Sequence, residues 1–137
     1  MSNWTERIPG TDRVRAVVLG FFVALVAGPV FGKGLVPQED AAILFRYSEN
    51  VANGFGIVYN PGGEKVDGAT DLPFMWVLAV LNQLGVSTTV AAVAVSAIST
   101  GIVAALIYLA WCKWSGLGPF WSLLPVAFLM AGPVWAY

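Results

Sequence analysis

The sequence predicts an all-α integral membrane protein, and three observations carry that expectation. Hydrophobic residues make up 58% of the chain and charged residues only 11%, less than half of the roughly 25% charged in an ordinary soluble domain. The charges are also segregated: they fall within Glu6–Arg15 and Lys33–Asp71, and beyond Asp71 only Lys113 carries one. Finally, the apolar residues gather into about four runs, with a mean hydropathy of +0.74 over the whole chain. A water-soluble globular fold is excluded, because the half after Asp71 has almost nothing to keep a surface wet.

Residues 1–15 form a polar tail with Arg7, Arg13 and Arg15, followed at once by the first expected span, 16–31. Arginines before a span place the N-terminus in the cytoplasm. A secretory signal has the same basic-then-apolar start, but no small-residue cleavage pattern follows Phe31, so a retained anchor is expected. Pro29 is expected to kink or end this helix.

Residues 32–71 form an outer loop. Within it, 38–53 (QEDAAILFRYSENVAN) reads as an amphipathic helix lying on the membrane surface, with Ala42, Ile43, Phe45 and Val51 on its apolar face. Asn53-Gly54 is its stop. A short extended piece, Ile57–Tyr59, and an Asn60-Pro61-Gly62-Gly63 turn follow. Asp71 before Pro73 has the chemistry of a helix cap.

The second hydrophobic segment, 72–84, is short and carries Asn82 and Gln83 near its end. Ser87 is an expected N-cap for the third, 90–112, where Ala94, Ala97, Gly101 and Ala105 recur at helical spacing. Small residues so placed let membrane helices approach closely. The fourth, 120–137, runs to the end of the sequence with no polar cap and is expected to be incomplete. Strict alternation of four spans puts Lys113 outside, whereas the positive-inside rule prefers it inside. Most of the tryptophans fall near segment ends, as an interfacial belt does.

Composition narrows the chemistry. There is no histidine, so no Ser-His-Asp triad or imidazole base can form. The lone Cys112 makes neither an internal disulfide nor a thiolate metal cluster, and it reads as a small core hydrophobe. A net charge of -1 offers no basic field for nucleic acid. No dedicated metal site is expected.

The candidate constellation is Glu39-Asp40 at the start of the loop helix. Carboxylates there suit the positive end of the helix dipole. They can act as a general base, orient a hydroxyl, or help hold a divalent cation through oxygen ligands. Glu39 shares a face with Arg46, and Asp40 with Tyr47. Arg46 either meets a phosphate or pairs with Glu39 or Glu49.

The stretch from Glu39 to Val86 resembles the first outer loop and second helix of bacterial GT-C-type membrane glycosyltransferases, the group of the mycobacterial terminal arabinofuranosyltransferase. The residues that carry the resemblance are Glu39-Asp40, Phe45-Arg46-Tyr47, Asn53-Gly54-Phe55-Gly56, Tyr59-Asn60-Pro61-Gly62, Lys65-Val66-Asp67-Gly68 and Thr70. It implies a polyprenyl-phosphate-linked sugar as donor and a cell-envelope glycan hydroxyl as acceptor, at a bacterial cytoplasmic membrane. It further implies Asp40 or Glu39 as general base or acceptor-positioning group, with Arg46 and Lys65 near the donor phosphate. Two positions depart from the pattern: Glu39 stands where an aspartate is usual, and Asp71 where a neutral polar residue is. Enzymes of this type carry many more spans. The chain is therefore expected to be either the N-terminal membrane portion of such an enzyme or a shortened, non-catalytic subunit packed against other membrane helices.

Overall fold

Helix α1 (Gly10–Gly32) begins within the polar tail rather than at Ala16, because Asp12 in its first turn suits the positive end of the helix dipole. Asp12 also accepts from Arg15 Nη1 at 3.0 Å, one turn on. Pro29 does not end the helix, which continues to Gly32. The computed structural model describes residues 9–32, 39–63, 71–115 and 118–131. Among these there is no strand. The remaining helices are α2 (Glu39–Ala52), α3 (Leu72–Gln83), α4 (Thr88–Ser115) and α5 (Leu124–Ala131), the last preceded by a 3-10 turn at Trp121–Leu123.

Among the described residues two helices are long and apolar enough to cross a membrane, α1 with 23 residues and α4 with 28. At about 1.5 Å per residue they span roughly 34 and 42 Å, against a hydrocarbon core of about 30 Å. The 12 residues of α3 reach only about 18 Å. The fourth expected span is described only as the short apolar helix Trp121–Ala131, and residues 132–137 lie outside the described residues.

The chain divides into two compact units. The first holds α1, α4 from Ser96 onward, and α5. Here the buried residues of α1, namely Ala16, Gly20, Val23 and Ala27, form a single stripe. They face Ala97, Gly101, Ala104 and Tyr108 of α4. Gly28 lies beside Ala97, and Gly20 beside Gly101 and Ala105. Ala16 and Val23 share a core with Ala104, Tyr108 and Val126 of α5. As the α1 positions fall from 28 to 16 their α4 neighbours rise from 97 to 108, so the two helices are antiparallel. The rest of the α1 surface exposes Val17, Val18, Phe21, Phe22 and Leu25, each at 59% or more. Water does not tolerate such a surface, whereas a bilayer or another helix does.

The second unit spans 34–95 and contains α2, α3 and the start of α4. Tyr47 and Val51 pack on Met75 and Ala79, with Ile43, Leu44 and Ala52 around them. Leu78 packs on Ala91 and Ala92. The apolar face of α2 therefore follows Leu44, Tyr47, Ser48 and Val51 at i, i+3, i+4 and i+7. Of the expected face only Ala42 is corrected, being exposed; Phe45 is half-buried and packs against Leu78, Ala91 and Ala92.

Candidate functional site

Helix α2 is fixed at its C-terminal end. Gly54, at φ +81, donates to Val51 O at 3.1 Å, and Phe55 N donates to Asn50 O at 2.9 Å, the paired bonds of a Schellman cap. Asn53-Gly54 is thus the stop that the sequence predicts. The chain then turns back along α2. Asn50, 3% exposed, donates from Nδ2 to Val58 O at 2.7 Å and to Tyr59 O at 2.8 Å. The Tyr59 ring lies against Tyr47, with centroids 6.0 Å apart. Within the expected loop piece Ile57–Tyr59, the Val58 and Tyr59 carbonyls bond to the Asn50 side chain rather than to a neighbouring strand. Asn60-Pro61-Gly62-Gly63 is a turn, closed by Gly63 N to Asn60 O at 3.0 Å with Gly62 at φ +79.

The far side of α2 is tied by polar bonds. Thr88 Oγ1 donates to Glu49 Oε1 at 3.3 Å and accepts from Asn82 Nδ2 at 3.1 Å. Gln83 Nε2 donates to Ala52 O at 3.3 Å. The C-terminal ends of α2 and α3 therefore meet at the first turn of α4. Asp71 caps α3, its Oδ1 accepting from Phe74 N at 3.3 Å, as its position before Pro73 predicts.

With α2 held this way, Glu39 and Asp40 stand exposed in its first turn. Arg46 is exposed about two turns on. It forms no ion pair with Glu39 or Glu49 among the described residues; Glu49 is engaged by Thr88. Glu39, Asp40 and Arg46 are accordingly presented by one helix, with their charges open to a ligand. Lys65 lies outside the described residues. No group of three or more His, Cys, Asp or Glu gathers among the described residues. A cation at Glu39-Asp40 would take most of its six to eight oxygens from elsewhere.

Two residues escaped the sequence reading. Asn50 carried a weak signal, a polar side chain one turn after Tyr47 on the buried side of an amphipathic helix. Thr88 carried none, since its partner Glu49 is 39 positions away. No family model, no curated protein and no solved structure matches this chain.

Proposed function

We propose that this chain is the N-terminal membrane portion of a GT-C-type glycosyltransferase, which moves a sugar from a polyprenyl-phosphate donor to a cell-envelope glycan hydroxyl at the bacterial cytoplasmic membrane. Helices α1 and α4 are its two spans, with the α1 N-terminus cytoplasmic. Because they are antiparallel, 32–88 begins and ends on the outer side, and Lys113 joins Arg13 and Arg15 inside. The conflict between alternation and the positive-inside rule then disappears.

In this reading Asp40, or Glu39, takes the proton of the acceptor hydroxyl as its oxygen attacks the anomeric carbon. The bond from that carbon to the phosphate oxygen breaks, and polyprenyl phosphate leaves with the electron pair. Arg46 and Lys65 meet the negative charge it carries.

One observation supports this reading above the rest. The motif residues separate into those consumed by the fold and those left over. Asn53-Gly54, Tyr59 and Asn60-Pro61-Gly62 shape the loop, and Tyr47 fills the core. Glu39, Asp40 and Arg46 are carried by this frame yet, among the described residues, spend no side-chain bond on it. The test is glycosyl transfer by the membrane enzyme that contains this segment, assayed with a polyprenyl-phosphate sugar. Asp40→Asn or Glu39→Gln abolishes turnover. Full activity in both variants removes the assignment.

A non-catalytic subunit is the second reading. It is favoured by the apolar surface of α1, where Val18, Phe22 and Leu25 are each exposed at 59% or more and another membrane helix would cover them. It predicts co-purification with other membrane chains at fixed stoichiometry.

A further inference from the structure

Where α1 begins and α4 finishes, Arg15, Leu19, Tyr108, Pro119, Phe120 and Leu123 line a cleft of about 290 Å³. Leu19, Pro119, Phe120 and Leu123 are apolar, and the two polar heads are the Arg15 guanidinium and the Tyr108 phenol. The Arg15 side chain is 54% exposed, and its Nη1 meets Asp12 Oδ1 at 3.0 Å. A guanidinium has five N–H donors, so the pair with Asp12 occupies one edge of the fork and leaves another for an anion. Arg13 and Lys113 lie at the same end of the unit. Trp114, Phe120 and Trp121 are exposed there as well, as aromatic side chains are at the boundary between hydrocarbon and water.

A cleft whose lining is apolar apart from one cation and one phenol is complementary to one kind of molecule, an amphiphile with an anionic head and a hydrocarbon tail. We propose that this cleft binds one anionic phospholipid of the leaflet facing the α1 N-terminus. Its phosphate sits on Arg15 and an acyl chain runs along Leu19, Phe120 and Leu123. The site rests on α1 and α4 being membrane spans and is independent of glycosyl transfer.

The test uses the full chain reconstituted in phosphatidylcholine vesicles and recovered by flotation. Spin-labelled phosphatidylglycerol or phosphatidylcholine is added in trace, and the motionally restricted lipid is measured. Phosphatidylglycerol is preferred about fivefold, the size of one near-surface cation's contribution. Arg15→Gln removes the preference, and Leu123→Trp, which fills the slot while keeping every charge, removes it too. Arg13→Gln retains most of it. Soluble glycerol phosphate in excess leaves the labelled lipid in place.

No preference in the unaltered chain overturns the site, as does equal loss in Arg13→Gln and Arg15→Gln, which marks diffuse surface charge. Displacement by glycerol phosphate reduces the site to an anion site without a tail and overturns the lipid assignment. A chain that does not float with the vesicles overturns the span reading and this site together, whereas one that floats without selectivity overturns the site alone.

Discussion

Gly20 and Gly101 meet backbone to backbone at the crossing of α1 and α4. A Cβ added to Gly20 would stand 2.7 Å from Gly101 O and 3.2 Å from the Cβ of Ala105. Neither neighbour is the far end of a flexible side chain, so the helices must separate to admit it. Gly20→Ala is expected to lower stability by about 1–3 kcal/mol, the usual range for overpacking, and Gly20→Val by more. Gly32, on the same helix with nothing within 4 Å of its Cβ position, is the control. Unfolding in mixed detergent micelles measures both, and equal effects at Gly20 and Gly32 would remove the close crossing.

The Asn50 amide holds the returning loop through two carbonyl oxygens. Asn50→Asp places a carboxylate oxygen against Val58 O and Tyr59 O, exchanging a donor for an acceptor in a buried position. The expected cost is about 1–3 kcal/mol, that of a buried polar group left without its partner. The loss is local: amides around 55–60 exchange faster with deuterium while those of 16–27 in α1 do not change. Unaltered loop protection would show that packing of Tyr59 on Tyr47 suffices.

Thr88 joins three helices with one hydroxyl. Thr88→Val keeps the shape but strands Glu49 Oε1 and Asn82 Nδ2, and roughly 1–3 kcal/mol of stability is lost. Thr88→Ser restores the hydroxyl and most of the stability. A valine variant as stable as the serine one would mean that water replaces both bonds at no cost.

Local chemistry made much of this fold legible. Asp71 before Pro73, Asn53-Gly54 and Asn60-Pro61-Gly62-Gly63 each act within a few residues, so residue type alone states their role. Glu39 and Asp40 were readable as an exposed first turn for the same reason. Helix α1 reaches back past the apolar run that begins at Ala16, because the backbone is indifferent to the drop in hydropathy at Arg15 and Asp12 favours the helix. Tyr47 and Ser48 belong to the buried face of α2 although their polar atoms suggest otherwise. Ser48 meets its need by donating from Oγ to Leu44 O at 2.9 Å. Nothing local marks the bond from Thr88 to Glu49; the spacing of Ala97, Gly101 and Ala105 marks a close-packing face, but neither Gly20 as its partner nor the antiparallel sense, because both are set by chain reversal.

That antiparallel contact makes a topology prediction that strict alternation of four spans does not share. In a Cys112→Ala background, single cysteines replace Thr11, Asn53 and Ser115 in turn, and intact cells are treated with a membrane-impermeant thiol reagent. With the proposed cytoplasmic α1 N-terminus, Asn53→Cys is modified from outside, the position being exposed just past α2. Thr11→Cys and Ser115→Cys react only after the membrane is opened, because α1 starts and α4 ends on one face. Four alternating spans instead put position 115 outside with position 53, while position 11 remains inside. Modification of Ser115→Cys in intact cells would therefore mean that the two helices cross the bilayer in the same direction, which the pairing of Gly28 with Ala97 and of Gly20 with Ala105 does not permit.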